Sequence, residues 1–476
     1  MQCYKAREEA RELMKVHKEV KRSLRQAINV SKIRCERKLC LEVDNDPWGL
    51  GFKIVTKKLK GFAASSLMDE EEAKTVVDAL FPTHPTREDQ EDDINADDIP
   101  EFTQEELFAA VDSLRNKKAP GPDGIPAEII KIAAHECPSL MLRMYNTCIR
   151  TGVFSRRWKK AILVLISKGK GDPTLPSYWR PLGLLDTAGK SFEKMLQPRI
   201  LNAVEAAGDL SPRQYGFRRG RSTIGAVKEA ADAIIRAQTG NHYSRKITLL
   251  VTLDVKNAFN SAKWTEFLQG LSDFAVPKYL MRVMKSYLSD RVLLYETLQG
   301  RRSRKVTAGA AQGSVLGPDL WNISYDGILR LELADGCFMI GYADDIALVI
   351  IARNVQQAQN SLSVCMLNTS IWMEEHGLSL AAAKTEIVMF TRKQIDTIIL
   401  IRIDEDTVIE TKRFVKYLVI ILDTKRNYWE HISQRVKKAG TTTLTLSRLM
   451  SNMNGSKASK RKLLMSVTHS ILLYAL

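Results

Sequence analysis

Cysteine is scarce in this chain of 476 residues, and what there is does not pair: Cys3, Cys35, Cys40, Cys137, Cys148, Cys337 and Cys365 are odd in number, widely scattered and free of any CxxC or zinc-knuckle spacing. That pattern excludes a disulfide framework and a structural zinc, and it fits a reducing compartment. Long hydrophobic runs are missing too. The best of them, FMIGYADDIALVII (338–351), is broken by two acids, and the N-terminal MQCYKAREEA has no apolar core, so neither a membrane span nor a signal peptide is expected. With 26 Gly and 15 Pro the chain is no collagen or low-complexity polymer, and 45% hydrophobic residues exclude wholesale disorder.

What is present is positive charge. The net charge is +16, although residues 69–106 carry fifteen acids against only Lys74 and Arg87, so the remainder is more basic still. A field of that sign selects polyanionic partners, nucleic acid or an anionic surface. Residues 4–40 place twelve Lys and Arg against five Glu, with Leu13, Met14, Val20, Leu24, Ile28 and Ile33 on roughly one face, which predicts a basic amphipathic helix. It reads equally as a nucleic-acid arm or a solvated helix face.

Composition also marks boundaries. The acid- and proline-rich stretch from Met68 to Pro100 reads as a flexible linker, giving four segments: a basic helical extension (1–67), an acidic linker (68–100), a main body (101–426) and a basic helical C-terminal segment (427–476). Thr103 and Glu106 form a capping box that opens a helix, which ends at the tight loop APGPDG, and a second helix follows Pro126. Apolar runs at 161–168, 246–255 and 337–342 read as strands, and 223–238 and 354–376 as helices. Irregular alternation of this kind predicts an α+β fold.

The chemistry concentrates in acids at strand ends. Asp344 and Asp345 lie between two apolar runs, the pattern of a β-hairpin with acids at its turn, and Asp254 ends the run LLVTLD. Carboxylates crowded beside apolar strands need neutralising, and hard divalent cations are their usual partners. A solvated turn would account for YADD by itself; a third acid leaving a strand points instead to a two-metal site for phosphoryl or nucleotidyl transfer.

The ordered blocks APGPDGIPAE (119–128), LISKGKGDP (165–173), RPLGLLDTAGKSFEK (180–194), QYGFRRGRST (214–223), LDVKNAFN (253–260), AQGSVLGPDLWN (311–322), YADD (342–345), GLSLAAAKTEIVMF (377–390) and VKYLVIILD (415–423) resemble the reverse transcriptase of non-LTR, LINE-type retrotransposons. The resemblance covers about residues 100–430. It implies a right-hand polymerase of fingers, antiparallel-sheet palm and thumb, with the basic helical extension in front and a shortened thumb in 427–476. It further implies that Asp254, Asp344 and Asp345, with the backbone carbonyl of Val255, hold two Mg²⁺ ions, Mn²⁺ being the alternative. Phe259 becomes the steric gate beneath the incoming sugar, Lys168 and Arg180 hold the triphosphate, Gln312 and Gly313 pack under the nascent pair, and Lys384 protonates the leaving pyrophosphate. Tyr215, Phe217, Arg218, Arg219 and Arg221 form a basic, aromatic cluster suited to template phosphates and stacking.

The partners so implied are an RNA template, a DNA primer or target and dNTPs, with no membrane, in the nucleus or a cytoplasmic ribonucleoprotein. The chain resembles a piece of a longer polyprotein. It also departs from the family at Ala310-Ala311 (Val-Pro), Ser167 (Pro), Trp179 (Tyr) and Val419 (Gly), changes that loosen or crowd turns. They keep open a second reading, an impaired remnant that only binds nucleic acid. A third, the reverse transcriptase of a group II intron, shares the metal acids but fits the APGPDG and YADD blocks less well.

Overall fold

A computed structural model describes residues 2–46, 48–49, 52, 68–85, 99–169, 171–241, 243–381, 384–402, 408–449 and 457–474. The chain divides into two compact units, Met1–Gly61 with Trp429–Leu476, and Phe62–Tyr428. No helix among the described residues is long and apolar enough to cross a membrane.

In the first unit the helix Gln2–Asn45 runs through the basic stretch. Its apolar stripe stays in solvent, with Met14 67% and Val20 62% exposed. Its end is packed, where Val43 joins Phe52 and Leu446, Leu449 and Leu464 around the helices Trp429–Ser447 and Ala458–Leu473.

Alternation along the strands organises the second unit. Strands β1 (Lys160–Ser167), β2 (Trp179–Leu185), β3 (Ile247–Asp254), β4 (Arg291–Thr297), β5 (Gly300–Val306), β6 (Cys337–Tyr342), β7 (Asp345–Ala352) and β8 (Glu386–Phe390) make two four-stranded sheets, ordered β2-β1-β4-β5 and β6-β7-β3-β8. The second is antiparallel throughout. Successive residues of a strand point to opposite faces. Leu249, Val251 and Leu253 of β3 and Ile346, Leu348 and Ile350 of β7 therefore enter one core, while Leu250, Ala347 and Val349 enter another. The helices Trp264–Asp273, Gly317–Leu329 and Val355–Glu375 supply the first core, and Thr223–Ala237 supplies the second with the short hairpin of Phe414–Tyr417 and Ile420–Asp423. Both faces being covered explains why these strands read as unbroken apolar runs. Each fully buried aliphatic side chain contributes about 1.5–3 kcal/mol relative to exposure, so the sheet is a rigid platform for whatever stands at its ends.

The capping box forms as the sequence predicts: the Thr103 N–H donates to Glu106 Oε2 (2.9 Å) and the Glu106 N–H to Thr103 Oγ1 (3.3 Å), at the start of the helix Gln104–Asp112. The next helix, Ala127–Glu136, follows Pro126. The APGPDG loop before it docks on the end of β2, where the Asp123 N–H donates to Asp186 Oδ1 (3.1 Å).

The expectation of a linker from residue 68 needs correcting at its start. Glu70–Leu80 is a helix, capped by Asp69. Its Ala73, Val76, Val77 and Leu80 recur at helical spacing and bury against Ala161, Leu163, Trp179, Leu293 and Tyr295 of the first sheet. Its acids answer the basic edge strand β5: Glu70 takes Arg302 (2.5 Å) and Asp78 pairs with Arg304. The rest of the expected linker, 86–98, lies outside the described residues.

Candidate active site

The carboxylates meet at one end of the second sheet. Asp254 is the last residue of β3 and Asp345 the first of β7, and the two are cross-strand partners. Asp344 stands beside them in the two-residue turn between β6 and β7, a hairpin whose closing pair is Tyr342 and Asp345. Packed surroundings push Asp345 up to about 6, helped by the negative charges of Asp344 and Asp254. Burial raises Asp344 as well, and Asp254 adds to it, against the pull of Lys384 and Arg180. Like charges at this spacing resist simultaneous ionisation.

Cations from three other segments converge on them. Lys384 pairs with Asp254 Oδ2. It is brought there by an isolated bridge between Val255 and Leu380, in which the Ala381 N–H donates to the Asp254 carbonyl (2.8 Å) and the Lys256 N–H to the Ser379 carbonyl (2.9 Å). Residues 382–383 of the same block lie outside the described ones. Arg180, exposed on β2, is opposite Ile166 in the β1–β2 pair. Lys168 follows β1 and donates from Nζ to the Ser177 carbonyl (2.8 Å). Burial lowers the Lys168 amine, and the nearby charges of Lys384 and Arg180 lower it further.

Three carboxylates gathered at one sheet end offer hard oxygen, a donor set that suits divalent cations. They are not a closed cage: among the described residues no group of three or more His, Cys, Asp and Glu side chains is gathered as a metal ion requires. The ammonium of Lys384 answers the Asp254 carboxylate.

Phe259 is half-buried, edge-on to Phe217 (5.8 Å between centroids) and tilted against Trp321 (5.0 Å). Gln312 and Gly313 lie against β2: the Gly183 N–H donates to the Gln312 carbonyl at 2.7 Å. Gly313 has φ +120°, and a Cβ there would stand 2.4 Å from the Gly183 oxygen, so only glycine fits. Beneath this loop the buried Glu193 accepts the N–H groups of Val315 (2.7 Å) and Leu316 (3.0 Å), with Arg291 nearby to offset its charge.

The basic, aromatic block divides in two. Arg219 and Arg221 are exposed, and Arg221 lies 5.2 Å over the Tyr215 ring, beside an open groove of about 490 Å³ that Lys228 and Arg236 also line. Arg218 is already engaged: it pairs with Asp209 (2.5 Å) and donates to the Ser211 carbonyl (2.8 Å). Tyr215 donates its hydroxyl to Glu229 (2.8 Å). The backbone of this block does something the sequence did not suggest, docking on the acid hairpin through the Tyr215 N–H to the Gly341 carbonyl (2.8 Å) and the Gly341 N–H to the Arg213 carbonyl (2.9 Å).

The departures from the family pattern are accommodated. Ser167 Oγ accepts the Gly169 N–H (3.0 Å), turning the chain where a proline would have fixed it. Trp179 is buried and its indole donates to the Pro173 carbonyl (2.8 Å). In the hairpin at 414–423 the left-handed residue is Leu418, with φ +52°, and not Val419, so the loss of glycine at 419 is not where the strain falls.

Also absent from the sequence reading are Glu193, Trp321, Asn322 and Tyr325. All are buried, and a buried polar residue carries no local periodic signal; a place within the matched blocks could have marked Glu193, Trp321 and Asn322, but Tyr325 lies outside them.

An acid hairpin opposite a strand-end aspartate thus stands on an antiparallel sheet flanked by helices, and comparison with known proteins gives the family of the chain that carries it. The chain belongs to the reverse transcriptase (RNA-dependent DNA polymerase) family, whose profile matches residues 166–422. Within it the affinity is to LINE-type, non-LTR elements. It is 27% identical over 340 residues to "Probable RNA-directed DNA polymerase from transposon BS" of Drosophila melanogaster, covering 70% of this chain and 37% of that one. It is 26% identical over 418 residues to the Retrovirus-related Pol polyprotein from type-1 retrotransposable element R1 of Bradysia coprophila, covering 84% and 40%. The RNA-directed DNA polymerase from mobile element jockey of Drosophila melanogaster is 25% identical over 362 residues, covering 74% and 38%. The chain thus spans less than half the length of these relatives.

Proposed function

We propose that this chain is an RNA-directed DNA polymerase that adds dNTPs to a primer 3′-hydroxyl on an RNA template. The observation that carries the reading is the apposition of Asp254 and Asp345 on adjacent strands, with Asp344 at the turn, faced by Lys168, Arg180 and Lys384 from other segments. In this reading the sheet β6-β7-β3-β8 is the palm, the β1–β2 region belongs to the fingers and the helices Trp429–Ser447 and Ala458–Leu473 are the thumb.

Asp254, Asp344 and Asp345, with the Val255 carbonyl, would hold Mg²⁺, whose chemistry when bound is to acidify a hydroxyl and stabilise charge on phosphoryl oxygens. Arg180 offers a two-pronged fork to the triphosphate and Lys168 a point charge. Phe259, half-buried beside Phe217 and Trp321, would exclude a 2′-hydroxyl by its bulk. Lys384 leaves Asp254 to donate its proton to the departing pyrophosphate oxygen, a role open to an ammonium already at the carboxylates. The Gln312–Gly313 loop, held against β2 and seated on Glu193, gives the new base pair a fixed floor. Arg221, Lys228 and Arg236 line a groove for template phosphates, and the exposed Arg219 stands two residues before Arg221.

The test is extension of a DNA primer annealed to an RNA template, with dNTPs and Mg²⁺. The expected result is extension that stops on chelation and returns with added Mg²⁺. A chain that binds the template-primer but extends nothing with Mg²⁺ or Mn²⁺ would overturn the proposal in favour of nucleic-acid binding alone.

A further inference from the structure

Trp321 is among the largest fully buried side chains, 1% exposed on the helix Gly317–Leu329. Its two chemical faces reach two different parts of the site. The indole Nε1–H donates to the Ala343 carbonyl at 3.1 Å, while the ring lies 5.0 Å from that of Phe259 at an interplanar angle of 31°. Ala343 is the residue before Asp344 and has φ +58°, a left-handed conformation that a residue with a Cβ adopts only when its surroundings hold it there.

The next residue holds the same turn from the other side. Asn322 Nδ2 donates to the Gly216 carbonyl at 2.9 Å, and Gly216 lies so close to the turn that a Cβ on it would stand 2.0 Å from the Ala343 nitrogen. Tyr325 backs the indole in a stack at 4.6 Å. The helix therefore braces the acid turn directly, and through one ring it braces Phe259 as well.

We infer that Trp321 is a positioning residue with separable duties: its N–H fixes the Ala343–Asp344 turn and so sets turnover, and its ring fixes Phe259 and so sets discrimination between deoxyribose and ribose. The sugar duty and the effect on turnover rest on the polymerase reading above; the bracing of the turn does not. The duties can be parted because Trp321→Phe removes the donor but keeps an aromatic ring, whereas Trp321→Leu removes both.

Two measurements on the full chain test this. The first is amide hydrogen exchange of the segment 340–347 in the protein alone, which needs no activity. Trp321→Phe should speed exchange at this turn about tenfold while the centre of β3 keeps its protection; unchanged exchange at the turn would overturn the bracing role. The second compares single-nucleotide incorporation of a dNTP and its rNTP. Trp321→Phe should lower kcat about tenfold with KM and the dNTP/rNTP preference held within about twofold, and Trp321→Leu should lower the preference as well. Equal preference in both variants would overturn the ring's role. Failure of the unsubstituted chain to extend any primer would overturn the polymerase reading and the sugar duty with it, and leave the exchange result to decide the turn.

Discussion

Asp254 and Asp345 face each other across β3 and β7, the one closing its strand and the other opening its own. That register brings residues ninety-one positions apart to one sheet end. It also sets the electrostatics, since burial, helped by two neighbouring carboxylates, raises Asp345 to about 6, and the ammonium of Lys384 answers Asp254. Leaving such a cluster unneutralised is costly, and that cost is the physical basis of the proposed metal binding.

Lys384 is the cation best placed to act on the reaction. Lys384→Ala is expected to lower kcat about 10²-fold or more, the range for loss of a general acid, with little change in the KM for dNTP. Single-turnover incorporation measures both; a change confined to KM would make Lys384 a triphosphate ligand instead.

The arginines of the QYGFRRGRST block should separate by function. Arg219→Ala and Arg221→Ala should each reduce the slope of log affinity for RNA against log salt by about one. Arg218→Ala should leave that slope unchanged and lower the melting temperature, because its guanidinium is spent on Asp209 and the Ser211 carbonyl. A reduced slope for Arg218→Ala would contradict the structural assignment.

Asp319, 7% exposed, has its carboxyl pushed up to about 6 by burial, against the opposing hydrogen bond from Gln197. Its folded value lies above its ordinary one, so the folded protein keeps a proton that the unfolded chain releases. The resulting stability is present below about pH 4 and is lost as pH rises through 6, by about 3 kcal/mol at most. Asp319→Asn, which can still accept from Gln197, should therefore raise the melting temperature at pH 7.5 and not at pH 4. Equal shifts at the two pH values would refute the account.

How far the sequence could be read depended on whether a residue's role is local. The capping box at Thr103, the acid hairpin and the strand ending at Asp254 came from patterns a few residues long, and all three stand. The helix Glu70–Leu80 was obscured because its acids, which suggested a solvated linker, are matched by arginines of β5 more than 220 residues away. Arg218 looked like its exposed neighbours because sequence does not show which cation an Asp209 will claim. Trp321 lay inside a matched block, yet its hydrogen bond to Ala343 depends on a helix and a hairpin meeting, and no spacing announces that.

The central claim is that Asp344 and Asp345 serve catalysis and not the grip on nucleic acid. The direct measurement compares the unsubstituted chain with Asp344→Asn/Asp345→Asn, in Mg²⁺-dependent extension on an RNA template and in RNA affinity at fixed salt. The account predicts that extension is abolished while affinity stays within about threefold, since these acids should meet metal ions and not the phosphate backbone. Extension that survives the double substitution, or RNA binding lost along with it, would contradict the account.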